Sequence, residues 1–379
     1  MKIGIITLPL HTNYGGLLQA YALQAVLERI GHNVVVLDTP NKKTLKWNYP
    51  LSIVRRCINK FILRKGNKIF YEQWHNKTYP IISKYTQPFT NRNINRLEIS
   101  DFQQLPEELF DAFVVGSDQV WRPVYFTMLY NSGIKHAYLD FAKEWDVKRI
   151  AYAASFGVAE WELNEEQTIE CAHLAKLFDA VSVRENSGIT LCNKFLDIEA
   201  SLVLDPTLLL EKDDYIKLIE TEFELASEGD FFCYILDDNE NVRNAICNIE
   251  KELTLRSFQV KAKKSIYETK LEGNREDYII PSPAKWLRAF MDAKMVFTDS
   301  FHGCVFSIIF NKPFWVIGNK GRGNARFDSL LKLFNLESRR IDINEINDID
   351  FALPINWDEV NSIKKEWQSK SIKFLKDNL

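Results

Sequence analysis

Apolar residues in this chain fall into short β-prone runs separated by longer stretches in which they recur every three or four positions. The first run, Lys2 to Leu8, reads as a buried strand and leads into a polar turn, His11 to Gly16. Leu17, Tyr21, Leu23, Leu27 and Ile30 then follow at helical spacing, Gly31 is placed to stop that helix, and Val34 to Leu37 predicts a second strand. The opening is a βαβ unit. Further strands are predicted at Ala112 to Val115, Ile150 to Ala154, Ala180 to Val183 and Ser201 to Leu204, with a helix over Glu165 to Phe178. One parallel sheet takes them all.

Beyond Asp205-Pro206 a charged stretch, Glu211 to Asp230, predicts helix and linker, and the alternation restarts with Phe231 to Leu236. Helices over Asn241 to Leu253, Pro283 to Ala293, His302 to Phe310 and Ala325 to Phe334 interleave with strands Phe258 to Val260, Met295 to Phe297 and Phe314 to Ile317. A charged amphipathic helix, Val360 to Leu379, closes the chain. The predicted organisation is an α/β domain over 1–210, a second over 211–345, and a helical segment over 346–379 that packs back on the first. An insertion, 41–109, interrupts the first domain. Within it Leu51 to Arg64 predicts a helix with one apolar and one cationic face, which either packs on its own domain or rests on an anionic membrane surface.

A chain of 379 residues exceeds the usual ceiling for one core, in keeping with two domains. Lys and Arg total 48 against 51 Asp and Glu, so no global field draws a polyanion and nucleic acid is not an expected partner. No run reaches transmembrane length, and the first residues lack a signal-peptide pattern. The 6 cysteines lie far apart, which fits reduced thiols and argues against a disulfide or zinc framework. The expected location is the cytoplasm, at most at the inner face of the membrane.

Ligands of open parallel sheets collect beyond the carboxyl ends of the strands, and five polar loops occupy such positions. Asn13-Tyr14-Gly15-Gly16 allows close backbone approach at a helix start, either as an anion site or as a simple tight turn; it lacks the dinucleotide pattern, so no nicotinamide is expected. In Gly116 to Pro123, Asp118 and Gln119 can bond sugar hydroxyls, and Trp121 either offers a ring face to a sugar or covers the sheet end as core. Ala154-Ser155-Phe156-Gly157 reads as cleft floor. Arg184 ends a strand with its planar fork directed at the crevice, where it meets a carboxylate or phosphate or pairs with Glu185, and Asn186 or Ser187 caps the next helix. His302, at the strand-to-helix junction Thr298 to Gly303, is placed for acid–base work or for phosphate binding beside Ser300 and Gly303.

Taken in order, Asn13-Tyr14-Gly15-Gly16, Gly116-Ser117-Asp118-Gln119-Val120-Trp121, Tyr152 to Gly157, Ser182-Val183-Arg184-Glu185, Val203-Leu204-Asp205-Pro206-Thr207 and Ser300-Phe301-His302-Gly303 make this chain resemble the polysaccharide pyruvyl transferase family, from Met1 to about Arg339. The resemblance implies two Rossmann-like lobes in a GT-B-like architecture with an interdomain cleft. It also implies phosphoenolpyruvate as co-substrate, no cofactor or metal, and a sugar acceptor, lipid-linked or nucleotide-linked, that receives pyruvate as a ketal on a cell-surface glycan such as capsule. It carries an anion-binding arginine onto Arg184 and the family histidine onto His302, both expected to be catalytic. The loops themselves put Ser300 and Gly303 at the donor and Asn13, Gly15, Gly16, Asp118, Gln119 and Trp121 at the acceptor. Many members have Arg-Leu-His-Gly where this chain has Ser300 to Gly303. Arg288, Arg322 and Arg326 are the arginines available to replace the missing one at the donor. Two other readings share the architecture: a glycosyltransferase using a nucleotide sugar, and a non-catalytic glycan-binding protein.

Overall fold

Strands β1 (Lys2–Ile6) and β2 (Asn33–Asp38) flank helix α1 (Tyr14–Arg29), as the hydrophobic pattern predicts. Gly31, at φ 100°, takes the left-handed conformation that ends the helix. The structure is a computed structural model that describes residues 1–40, 42–43, 49–61, 68–130, 133–266, 273–318, 324–343 and 349–379. The insertion holds α2 (Tyr49–Phe61), α3 (Tyr71–Ile82), α4 (Thr86–Asn93) and the three-residue strand β3 (Arg96–Glu98). Then follow β4 (Ala112–Val115), α5 (Pro123–Tyr130), β5 (Lys148–Ala154), α6 (Glu165–Ala175), β6 (Ala180–Val183), α7 (Asn186–Leu191) and β7 (Ser201–Leu202). All seven strands pair in parallel in the order β3-β2-β1-β4-β5-β6-β7. Helices cover both faces, which is why β4 reads Ala-Phe-Val-Val without alternation and is buried throughout.

After α8 (Lys212–Thr221) the second lobe runs β8 (Phe231–Tyr234), α9 (Glu240–Leu253), β9 (Ser257–Phe258), α10 (Pro283–Asp292), β10 (Met295–Thr298), α11 (Phe301–Ile309), β11 (Phe314–Ile317), α12 (Ala325–Leu333) and β12 (Arg340–Ile341). Its five parallel strands lie in the order β12-β11-β10-β8-β9. Each sheet thus has one point where the chain reverses its direction of travel: between β1 and β4 in the first lobe, and between β8 and β10 in the second. Ligand crevices of doubly wound folds open at these points.

The lobes share a core. Leu17 and Leu18 of α1 belong to one apolar cluster with Trp286 and Phe290 of α10, Phe306 of α11, and Val360 and Leu375 of α13 (Trp357–Asn378). That explains why α1 is apolar on most of its circumference: its own sheet lies on one side and the second lobe on the other. Tyr14 stacks on Trp286 at 5.4 Å, and its hydroxyl donates to the Pro281 carbonyl at 2.9 Å. Helix α13 returns to the first lobe, where Ser371 Oγ accepts the Leu204 N–H at 3.0 Å and Gln368 Nε2 donates to the Leu208 carbonyl at 2.8 Å.

Candidate active site

A buried polar lattice fixes the loops after β1 and β4. Gln19 Nε2 donates to Thr7 Oγ1 at 2.8 Å, Thr7 Oγ1 donates to the Ser117 carbonyl at 3.0 Å, and the Ser117 N–H donates to Gln19 Oε1 at 3.1 Å. Next to it Asp118 sits at φ 68°, a left-handed conformation that is costly for a residue with a Cβ and that surrounding bonds must hold. Its carbonyl accepts the N–H groups of Val120 and Ser155, at 2.8 and 3.0 Å. Its carboxylate accepts from Arg184 Nη2 at 2.8 Å.

Arg184 leaves the end of β6 and closes its fork on two carboxylates. Nη1 donates to Asp205 Oδ2 at 2.5 Å and Nη2 to Asp118, with the side chain only 1% exposed. This corrects two expectations. The fork is not open to an anion, and Glu185 is not its main partner, since Arg184 Nε stands 3.9 Å from Glu185 Oε2. Glu185 instead accepts the N–H groups of Phe156 and Gly157, at 2.8 and 3.2 Å, pinning the cleft floor. It also occupies the cap position of α7, in place of Asn186 or Ser187, without a capping side-chain bond. Asp205, for its part, uses Oδ1 to accept from the Thr207 N–H and hydroxyl, at 3.1 and 2.6 Å.

The second lobe brings His302 to the same carboxylate. Its Nε2 lies 3.8 Å from Asp205 Oδ2, and that nitrogen, on a side chain 10% exposed, makes no hydrogen bond. The ring rests on the first turn of α1: a Cβ added to Gly15 would stand 2.1 Å from His302 Nδ1. Two helix N-termini therefore abut across the cleft, each with first-turn amides that no helical carbonyl satisfies. Phe301 carries a guanidinium against its ring from either lobe, Arg184 at 4.7 Å and Arg326 at 5.3 Å from the centroid.

These charges shape one another. Burial opposes ionisation of Asp118 and Asp205, yet the Arg184 guanidinium, with His302 beside it, outweighs burial and holds both carboxyls below their ordinary range. Burial likewise pushes the His302 imidazole down, more than the two aspartates raise it, and so keeps it neutral at pH 7. Arg326 is lowered to about 10, first by burial and then by repulsion from Arg184. A guanidinium under that stress is relieved by an added anion.

Other sequence-predicted residues have more structural duties. Trp121 is core: it is 1% exposed, stacks on Tyr138 at 5.0 Å and donates its N–H to the Ala137 carbonyl at 3.1 Å, leaving no ring face for a sugar. Gln119 is buried with its Oε1 accepting from Arg122 Nη1 at 3.3 Å. Asn13 and Ser300 cap α1 and α11 by accepting the N–H groups of Gly16 and Gly303, at 3.2 and 3.4 Å. Arg288 binds Asp292 and turns to the Glu224 carbonyl, so it does not replace the missing donor arginine; Arg322 lies outside the described residues. Sequence reasoning gave no site role to two members of the cluster, Asp205 and Phe301. Asp205 follows a short strand in an Asp-Pro pair, and an acid at a strand end is a signal that was there to be used. Phe301 gave no signal of its own, because a ring between two arginines is visible only in three dimensions.

The polysaccharide pyruvyl transferase family model matches residues 13–321. The chain belongs to that family. The match takes in Asn13, Asp118, Arg184, Asp205 and His302 and stops before Arg326. No curated protein matches the chain. Among solved structures, Arabidopsis thaliana UGT89C1 complexed with UDP-L-rhamnose is similar over 98% of both chains, at a TM-score of 0.50 and 11% identity. UDP-GlcNAc 2-epimerase of Methanocaldococcus jannaschii, in complex with UDP-GlcNAc and UDP, is similar over 97% of this chain and 100% of its own, at 0.48 and 13%. With the two parallel sheets, the first likeness makes this family member a GT-B-like protein of two Rossmann-like lobes.

Proposed function

We propose that this protein transfers pyruvate from phosphoenolpyruvate to two hydroxyls of a sugar, in a cell-surface glycan or its precursor, as a ketal. The observation that carries this reading is the unbonded Nε2 of His302, held neutral 3.8 Å from Asp205 where two helix N-termini meet. The donor's phosphate and carboxylate go to the first-turn amides of α1 and α11 and to Arg326. Arg184 acts as a positioning residue, fixing Asp118 and Asp205 rather than touching the donor. A cavity of about 650 Å³ lined by Pro40, Tyr79, Pro80 and Gln87 gives room for an acceptor, next to the His11 ring that meets Tyr79 edge-on.

In this scheme neutral His302 takes the proton of the first sugar hydroxyl as its oxygen bonds to C2 of the enol, and the methylene carbon gains a proton to become methyl. The second hydroxyl then bonds to C2 while the C2–O bond to phosphate breaks, and its proton leaves with phosphate. Two hydroxyl protons are released, one ending on carbon and one on phosphate. Incubation with phosphoenolpyruvate and a panel of glycans tests this: inorganic phosphate and an acceptor heavier by one pyruvyl group are expected. Consumption of a nucleotide sugar with phosphoenolpyruvate untouched would place the protein with the glycosyltransferases instead.

A further inference from the structure

Between Asp38 and Glu72 the chain carries nine lysines and arginines and not one acid, although its overall charge is -3. Helix α2 lies in that stretch, and three of its apolar residues are not where a core would put them. Leu51, Val54 and Ile58, at i, i+3 and i+7, are 69%, 55% and 44% exposed, and exposed Arg55 flanks them. The opposite side of the helix is the attached one. Arg56 there makes a two-pronged bond to Glu72, both distances 2.7 Å, and donates to the Ile69 carbonyl at 3.2 Å. The helix is thus fastened through Arg56, with Ile53 and Cys57 half-buried on that side, and it turns a further apolar stripe outward, where a helix on a protein surface carries polar residues. Phe70, 52% exposed, stands where α3 begins, beside that fastening.

We propose that α2 is a docking helix for an anionic lipid bilayer, its Leu51, Val54 and Ile58 entering the headgroup boundary and the surrounding cations meeting the lipid phosphates. The charge pattern selects this occupant. A second copy of the chain would bring the same acid-free segment against itself, whereas a bilayer rich in anionic lipid attracts each basic residue near it. The position also fits the proposed reaction. Lys68, which follows the helix, bonds the Ile266 carbonyl of the second lobe, and the cavity offered to the acceptor is lined by Pro40 and Lys42 from the same segment. A docked α2 would bring the acceptor cavity to the membrane. Docking of α2 does not depend on the proposed reaction.

Co-sedimentation of the full-length protein with phosphatidylglycerol–phosphatidylcholine vesicles tests it. Binding is expected to anionic vesicles but not to pure phosphatidylcholine, and to weaken as salt is raised. The triple variant Leu51→Gln, Val54→Gln, Ile58→Gln is expected to lose at least about tenfold in partition. Arg55→Glu should also weaken binding, and both variants should keep the parent's melting temperature and turnover on a soluble acceptor. Absence of binding to anionic vesicles, or binding that the triple variant leaves unchanged, overturns the proposal. So does a dimer in vesicle-free solution that the triple variant dissolves while the parent ignores vesicles. If the parent binds vesicles yet phosphoenolpyruvate is not turned over, the docking helix stands and only the proposed reaction fails.

Discussion

In the first lobe the charged groups at the switch point answer one another: Arg184 is closed on Asp118 and Asp205, and Asp205 is tied again to Thr207. Across the cleft His302 keeps a buried nitrogen with no bond, and Arg326 is pushed to about 10 by burial and by Arg184. Both walls stand on the same device, a buried parallel strand whose end loop leads into a helix. The wall whose fork is closed on two carboxylates serves as the rigid reference, and in the proposed reaction the His302 wall meets the donor. Buried ion networks of the first kind contribute little net stability but penalise any other arrangement, because breaking one leaves an uncompensated charge.

The largest test of that contrast removes the reference. Arg184→Met leaves two buried carboxylates facing each other, and a loss of about 3–5 kcal/mol in urea unfolding is expected, with recovery when Asp205→Asn is added. A loss under about 1 kcal/mol would mean that the network is not a structural keystone. A smaller effect on stability, but a sharper one on chemistry, is expected from the seam between the lobes. In Gly15→Ala the new methyl meets His302 rather than backbone, so overpacking costs about 1–3 kcal/mol while displacement of the ring lowers turnover about a hundredfold. Unchanged turnover in a folded Gly15→Ala protein would show that the ring does not need its seat on α1.

The parallel-sheet architecture was legible because both faces of each sheet are covered, and continuous apolar runs such as Ala112 to Val115 leave little else to be. Short strands were harder. β3 was hidden inside the insertion, since three residues give periodicity no room, and β9 begins one residue early and ends at Phe258. At the site the sequence pointed to the right loops and misjudged their use. Arg184 and Asp118 are expected to face a ligand, and Trp121 either a sugar or the core, because each follows a strand, but position at a strand end does not say whether a neighbour has already taken the bonds. Asp205 supplied that neighbour for Arg184, and Tyr138 for Trp121. For His302 no neighbour takes the Nε2 bond.

That nitrogen is where the account is most exposed. Phosphate release from phosphoenolpyruvate, measured in the presence of an accepted glycan for the parent and for His302→Gln, tests it most directly. The variant is expected to fold and melt like the parent at pH 7 and to turn over about 10² to 10⁴ times more slowly. Because the folded-state imidazole titrates below its ordinary value of about 6.5, the parent should also lose stability as pH falls through that region, by an amount the variant lacks. A folded His302→Gln protein that releases phosphate at the parental rate would contradict the account.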